Sequence, residues 1–187
     1  MIALKIEDLK EFTKQLFTGE TFDRFLVKEA AFSTFCSFAI DGELKRGFLE
    51  EDSDSSANSA AASADNISPV SSAGITSSVS ADRFAAWKLL RPHCFQIIKG
   101  KQLPESFSVV LKLPAAGTEK FVRGAAPNLA EGTVSGLYLN IRYAEKALTC
   151  VTAVSYGQFT LDKSVEREWD ESIRKFLKTA GIAAMEG

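Results

Sequence analysis

The chain has 187 residues, of which 45% are hydrophobic, so it is long and apolar enough to bury a core. It has no run of about 18 apolar residues, and its first residues lack the pattern of a secretory signal, so we expect a cytoplasmic protein that makes no membrane contact. The formal net charge is −2, but Glu50–Asp82 holds six acidic and no basic residues. The rest of the chain is therefore mildly basic, which permits contact with nucleic acid.

The first 49 residues predict a unit of strand, helix and three further strands. The alternation in Ile2–Ile6 predicts the first strand. Asp8 stands where a helix N-cap belongs, and Glu11 follows at the spacing of a capping box. The apolar residues of the helix that follows share one face, and they are Leu9, Phe12, Leu16 and Phe17.

Three strands complete this first unit. Phe22–Ala30 predicts a strand of irregular pattern, and Phe32–Ile40 predicts a second one with clear alternation. Asp41 and Gly42 form a pair that is typical of a two-residue hairpin turn. Glu43–Leu49 is then expected to return as the last strand.

Residues 106–162 predict a second unit with the same order of elements. The expected elements are the strand Phe107–Leu113, the helix Gly117–Ala126, the strands Leu137–Tyr143 and Leu148–Val154 across a short turn, and the strand Tyr156–Leu161.

Two segments connect or follow the units. Residues 50–82 are rich in Ser and Ala and predict a flexible insertion, because they hold too little apolar surface to offset the entropy of ordering. Residues 83–105 predict a helical connector, with a helix that Asp82 caps and that Pro92 ends or restarts.

Residues 163–187 predict a helix with a short tail. Ser164 is expected to cap this helix, and the acidic residues at its start and basic residues at its end suit the helix dipole.

The sequence carries no pattern that predicts catalysis. The one histidine, His93, precedes Cys94, and neighbouring residues on a helix point about 100° apart, which argues against a Cys–His dyad. The other two cysteines, Cys36 and Cys150, lie far from Cys94 in the sequence. Three is an odd number of cysteines and none form a CxxC pair, which argues against a disulfide framework and against a zinc site. We expect no enzymatic activity, no metal and no other cofactor.

A basic cluster is the best candidate for contact with phosphate. It has no acidic residue between Arg83 and Pro104, and aromatic residues are interleaved with its bases. Its members are Arg83, Lys88, Arg91, Lys99 and Lys101. The alternative is that the aromatic residues belong to the core and the bases are ordinary solvated positions.

The order of elements resembles one domain of the DNA sliding-clamp superfold, the proliferating cell nuclear antigen type. The segments that carry the resemblance are Ile2–Ile6 with the helix after Asp8, Phe107–Pro114 with Thr118–Ala126, and Gly136–Ser155. The resemblance implies an α+β fold of two units related by a pseudo-two-fold axis, with their helices toward DNA and their sheets outward. The chain also resembles a small bacterial family of uncharacterised proteins.

Two functions follow as expectations. The first is a non-enzymatic clamp-like module that contacts DNA or a replication or repair protein, in which the bases of the two unit helices would face phosphate: Lys10, Lys14, Lys120 and Arg123. The second is a protein-interaction or structural domain with no role in nucleic-acid binding. The oligomeric state stays open, and so does an alternative α+β fold with one antiparallel sheet, helices on one face and no internal symmetry.

Overall fold

The computed structural model describes residues 1–45, 82–100 and 102–187, which form seven strands and four helices. The strands are β1 (Ala3–Ile6), β2 (Leu26–Ser33), β3 (Ser37–Asp41), β4 (Ser106–Lys112), β5 (Val134–Ala144), β6 (Ala147–Tyr156) and β7 (Ala184–Glu186). The helices are α1 (Leu9–Phe17), α2 (Trp87–Ile98), α3 (Ala115–Ala125) and α4 (Ser164–Thr179). The predicted insertion lies almost wholly outside the described residues, as does the greater part of the predicted strand Glu43–Leu49.

All seven strands join one antiparallel sheet in the order β3-β2-β4-β5-β6-β1-β7. The strands of both predicted units therefore share a single sheet. This confirms the α+β class and matches the alternative of one antiparallel sheet.

The expected pseudo-two-fold symmetry is not confirmed. The first strand of the second unit, β4, lies between β2 and β5, whereas the first strand of the first unit, β1, lies between β6 and β7. A two-fold axis that exchanged the units and kept β4 beside β2 would require β1 beside β5. The resemblance in element order therefore does not extend to strand order.

The core lies on one face of the sheet, because the apolar residues of each central strand alternate. Rows of side chains run across the strands on this face, and one such row is Phe32, Phe107, Tyr143 and Leu148. The helices pack on the same face: the Phe17 ring of α1 contacts Phe32, Phe107 and the Trp87 ring of α2. None of the described elements covers the opposite face of the sheet.

Two helices show how local sequence and packing combine. The Asp8 carboxylate accepts the N–H of Glu11 at 2.9 Å, so the predicted N-cap of α1 is confirmed. In α4 the predicted Ser164 cap is wrong, since Ser164 is the first helical residue and its own N–H donates to the Asp162 carboxylate at 2.8 Å. The helix forms in either case because its apolar face, which includes Trp169, is buried against the sheet.

The strand boundaries of the first unit differ from the prediction. The chain reverses at residues 34–36 instead of at Ala31, and Phe22 and Phe25 lie before β2. Asp41 and Gly42 do not form a hairpin turn. A Cβ on Gly42 would lie 1.9 Å from the carbonyl oxygen of Val27, so this glycine permits a close approach of two backbones.

The predicted connector also folds differently at its start. Asp82 does not cap α2, because its carboxylate accepts the N–H of Ala115 at 3.0 Å and so serves the start of α3. Phe84 is extended and pairs with Glu43 in an isolated bridge. Pro92 lies inside a continuous α2 and neither ends nor restarts it.

The end of the second unit holds a further difference. β6 continues to Tyr156, and no separate strand forms over the expected range Tyr156–Leu161. The short tail predicted after α4 instead contains β7, which pairs with β1. In the described parts of the chain, no helix combines the length and the apolar character needed to cross a membrane.

Candidate functional site

The bases predicted to face DNA on the unit helices are all exposed, and they lie on two different helices. Lys10 and Lys14 lie on α1, whereas Lys120 and Arg123 lie on α3. Helix α4 contacts both regions. The Gln15 side chain of α1 donates to the carbonyl of Ala180 just after α4 at 2.9 Å, and α4 packs against α3 through a ring contact of 5.4 Å between Trp169 and Phe121.

The basic cluster near α2 is partly neutralised by acids. Arg83 donates its Nε–H to the Glu43 carboxylate at 2.6 Å. Arg91 lies 3.1 Å from the Asp23 carboxylate, and both side chains are largely buried. These two contacts join α2 and its preceding segment to the first unit, so the two arginines have structural roles.

The remaining bases of the cluster lie at the ends of α2. Lys88 and Lys99 are exposed and form no ion pair with any described residue. Lys101 lies outside the described residues. The structure therefore brings together only a sparse set of uncompensated bases here.

His93 and Cys94 point in different directions. His93 is exposed, whereas Cys94 is buried, and burial raises the pKa of the Cys94 thiol to about 11. A thiol that stays protonated and faces the core is a poor nucleophile. Within the described ranges, no group of three His, Cys, Asp or Glu side chains is placed to hold a metal ion.

A more distinctive site lies at one edge of the sheet. β3 pairs with β2 on one side, and no described strand pairs with its other side. Backbone hydrogen bonds at the two ends of the β2–β3 pairing show which residues of β3 bond to β2. Thr34 N–H donates to Cys36 O at one end, and Gly42 N–H donates to Lys28 O at the other, both at 3.0 Å. In an antiparallel pair, every second residue bonds to the neighbouring strand. The backbones of Phe38 and Ile40 therefore bond to β2. Those of Ser37, Ala39 and Asp41 direct their N–H and C=O groups outward.

The side chains of β3 do little to discourage a further strand. Natural sheets often protect their edges with Lys, Pro, bulges or short strands. β3 has five residues, no Lys, Arg or Pro, and an uninterrupted register with β2. Its one charge, on Asp41, lies at the end of the strand.

A groove of about 770 Å³ with a mixed apolar and polar lining adjoins the start of β3 on the helix side of the sheet. It separates the β2–β3 turn from the C-terminal end of α2. Phe35 and Leu103 are 89% and 83% exposed at the groove, and the Phe35 ring packs edge-on against Phe38 with centroids 5.8 Å apart. The apolar residues that line the groove are Phe35, Phe38, Ile97, Ile98 and Leu103.

We call β3 and this groove the β3 edge site. Its components are visible in the sequence as the alternation of Phe38 and Ile40 and as the apolar end of α2. The sequence does not indicate that β3 is an outer strand, because strand order depends on contacts between distant segments.

A family model matches residues 15–73 and 71–184. The chain belongs to DUF5721, a family of unknown function. The expected membership of a small uncharacterised family is thus confirmed. The match includes β3, α2 and the whole second unit. No curated protein and no solved structure matches the chain, and the resemblance to sliding clamps gains no support from these comparisons.

Proposed function

We propose that this chain is a non-enzymatic protein-interaction module that binds an extended polypeptide segment along β3. The observation that carries the proposal is the outer backbone edge of β3, with which no described strand pairs, beside a partly apolar groove. Addition of a strand to a sheet edge is a common mode of peptide recognition, in which main-chain hydrogen bonds give affinity and pockets for alternate side chains give specificity.

The geometry defines the chemistry of the bound segment. Its N–H and C=O groups would pair with those of Ser37, Ala39 and Asp41. Alternate side chains would lie on the helix side, beside Phe38, which lines the groove, and beside Ile40, and these neighbours favour apolar residues. The other side chains would lie on the uncovered face of the sheet, beside small or polar neighbours. The expected ligand is an extended segment with apolar residues at every second position.

A displayed library of random peptides of about twelve residues tests this proposal on the full chain. Ala39→Pro removes an outward N–H and keeps the bonds to β2, so it serves as the non-binding variant. Ala39→Ser keeps the N–H and serves as the matched control. We expect peptides of alternating apolar pattern to be enriched on the wild type and on Ala39→Ser. No enrichment over Ala39→Pro would contradict the proposal.

A clamp-like module that contacts DNA is the second candidate. The observation that favours it is the set of exposed bases without an ion pair among the described residues: Lys10, Lys88, Lys99, Lys120 and Arg123. Their placement on separate helices favours weak, sequence-independent contact with phosphate.

Fluorescence anisotropy with a labelled duplex tests this candidate. The affinity for DNA is expected to fall steeply as salt rises from about 50 mM to about 200 mM. At low salt, a Lys88→Ala, Lys99→Ala double variant should bind more weakly than the wild type. Binding that is absent at low salt, or that does not change with salt, would exclude it.

A further inference from the structure

We infer that the extended segment that occupies the β3 edge site is β3 of a second copy of this chain, so that two seven-stranded sheets join into one across a two-fold axis at Ala39. This inference rests on the proposed function and names the partner of the same site. It follows from the pattern of β3, which itself has apolar residues at alternate positions, as the site requires.

The backbone directions fit an antiparallel pair centred on Ala39. The residues whose N–H and C=O groups point outward are Ser37, Ala39 and Asp41. A two-fold axis at Ala39 places Ser37 opposite Asp41 of the other copy and Ala39 opposite itself. Each such pair exchanges two backbone bonds, so the interface would contain about six.

The side chains fit the same register. Phe38 of each copy lies opposite Ile40 of the other at a non-hydrogen-bonded position, where side chains are closest. Aromatic and β-branched residues form favourable cross-strand pairs at such positions. On the other face, the Ser37 hydroxyl lies opposite the Asp41 carboxylate and can donate to it. A shift that placed the two Asp41 side chains opposite each other would oppose like charges, so charge also favours the register at Ala39.

The exposed apolar surface beside β3 gains cover in this arrangement. The two-fold axis brings Phe35 of each copy to the level of Glu43 and Leu44 of the other, beyond the end of the paired strands. A five-residue edge alone buries too little area for a stable complex, since specific interfaces bury about 1,200 Å² or more in total. The highly exposed Phe35, in the turn that precedes β3, supplies further apolar area at this end of the strand.

Light scattering after size exclusion, in reducing buffer, measures the oligomeric state of the full chain. We expect a mass near twice the 20.3 kDa of one chain at about 100 μM. Ala39→Pro should raise the dissociation constant of the dimer by at least about tenfold, because it removes a pair of central hydrogen bonds. Thermal unfolding of each variant serves as the control for folding.

A charge exchange across the axis gives the sharper test. Ser37→Asp places two carboxylates opposite each other at both ends of the interface and should weaken the dimer by about tenfold. Adding Asp41→Ser restores a hydroxyl–carboxylate pair with the roles reversed and should restore the dimer. Both positions are exposed, so neither change affects the core.

The outcomes separate this inference from the proposed function. A monomeric wild type overturns the inference. A dimer that Ser37→Asp and Ala39→Pro leave intact also overturns it, because the copies then meet through another surface. In either case, peptides that bind the wild type and not Ala39→Pro would still support the proposed function, and their absence would contradict that as well.

Discussion

The two outer strands of the sheet are built differently. β3 has five residues, exposes a regular backbone edge and carries no base. β7 has three residues, and its Glu186 is held by Arg174 of α4 at 2.6 Å. The chain reaches β7 through a tight helix end at Gly181, whose φ of 72° few other residues adopt.

The β7 edge is therefore protected, whereas the described residues give the β3 edge no such protection. A short strand with a charged pair is a poor template for a further strand, whereas a regular strand with a single terminal charge is a better one. The contrast between the β3 edge and the β7 edge therefore supports an interaction at β3, and variants on both sides of the sheet test it.

Thiol labelling should give the largest difference between parts of the molecule. Cys36 is exposed in the β2–β3 turn, whereas Cys94 and Cys150 are buried. At pH 8 a maleimide should modify Cys36 rapidly and the other two at least about a thousandfold more slowly, because they react only after opening of the structure. Mass spectrometry of digested protein measures the rates, and fast labelling of Cys94 would show that α2 does not protect it.

The buried Cys94 thiol also makes stability depend on pH. Burial raises the Cys94 pKa to about 11 from an unfolded value near 9. Between pH 9 and pH 11, the Cys94 thiol loses its proton in the unfolded chain but keeps it in the folded protein. The contribution of Cys94 to the free energy of unfolding is therefore complete below pH 9 and is lost as the pH rises toward 11. Cys94→Ala, compared with the wild type by urea unfolding at pH 8 and pH 10, should reduce this pH dependence.

Gly42→Ala should have the next largest effect, at the end of β3. The added Cβ would lie 1.9 Å from the Val27 carbonyl oxygen, and no rotamer change can relieve a contact with backbone. We expect a loss of about 3 kcal/mol in the free energy of unfolding. Gly124→Ala is the matched control: apart from its chain neighbours and its own helix backbone, no described atom lies within 4 Å of the position that its Cβ would take, and alanine in a helix should stabilise by up to about 1 kcal/mol.

Thr152→Val should give an intermediate effect on the β7 side of the sheet. The buried Thr152 hydroxyl donates to the Asp170 carboxylate and accepts the N–H of Ile2 at 2.9 Å. Valine has the shape of threonine but no hydroxyl, so the Asp170 carboxylate and the Ile2 N–H lose this partner. The free energy of unfolding should fall by about 1–3 kcal/mol. Thr149→Val, on the uncovered face of the same strand, should change stability by less than about 0.5 kcal/mol in the same denaturant titration.

Arg174→Met should give the smallest effect on stability. The Arg174 and Glu186 side chains are 39% and 62% exposed, so solvent screens their ion pair and its loss should cost at most about 1 kcal/mol. Hydrogen exchange should nevertheless become faster at β7 and stay unchanged at β3. Arg167 is an exposed arginine on the same helix, and Arg167→Met should change neither the stability nor the hydrogen exchange at β7. Equal effects of the two variants would argue against a specific role of the ion pair.

Local signals in the sequence predict much of the fold. The Asp8 cap acts on a donor three residues away, and the alternation in Phe107–Leu113 reports a strand with one buried face. Such features depend on neighbours in the chain, so they are readable without the fold.

Other features depend on partners that are distant in sequence. The local pattern predicts that Asp82 caps the adjacent α2, yet Asp82 lies against Ala115 at the start of α3. The same kind of pattern predicts a turn at Gly42, yet this glycine is needed where the backbone of Val27 approaches. In both cases the residue type is informative, and the identity of its partner does not follow from local pattern.

The α+β class, most helices and strands, and the alternation of Phe38 and Ile40 follow from the sequence, because periodicity and capping act over a few residues. The strand order, the face of the sheet that no described element covers, and the outer position of β3 follow from tertiary contacts. Strand order arises from long-range pairing, in which β1 joins β6 and β4 joins β2 across long stretches of chain. The β3 edge site exists because of that pairing, so the proposed function depends on packing and not on a local motif.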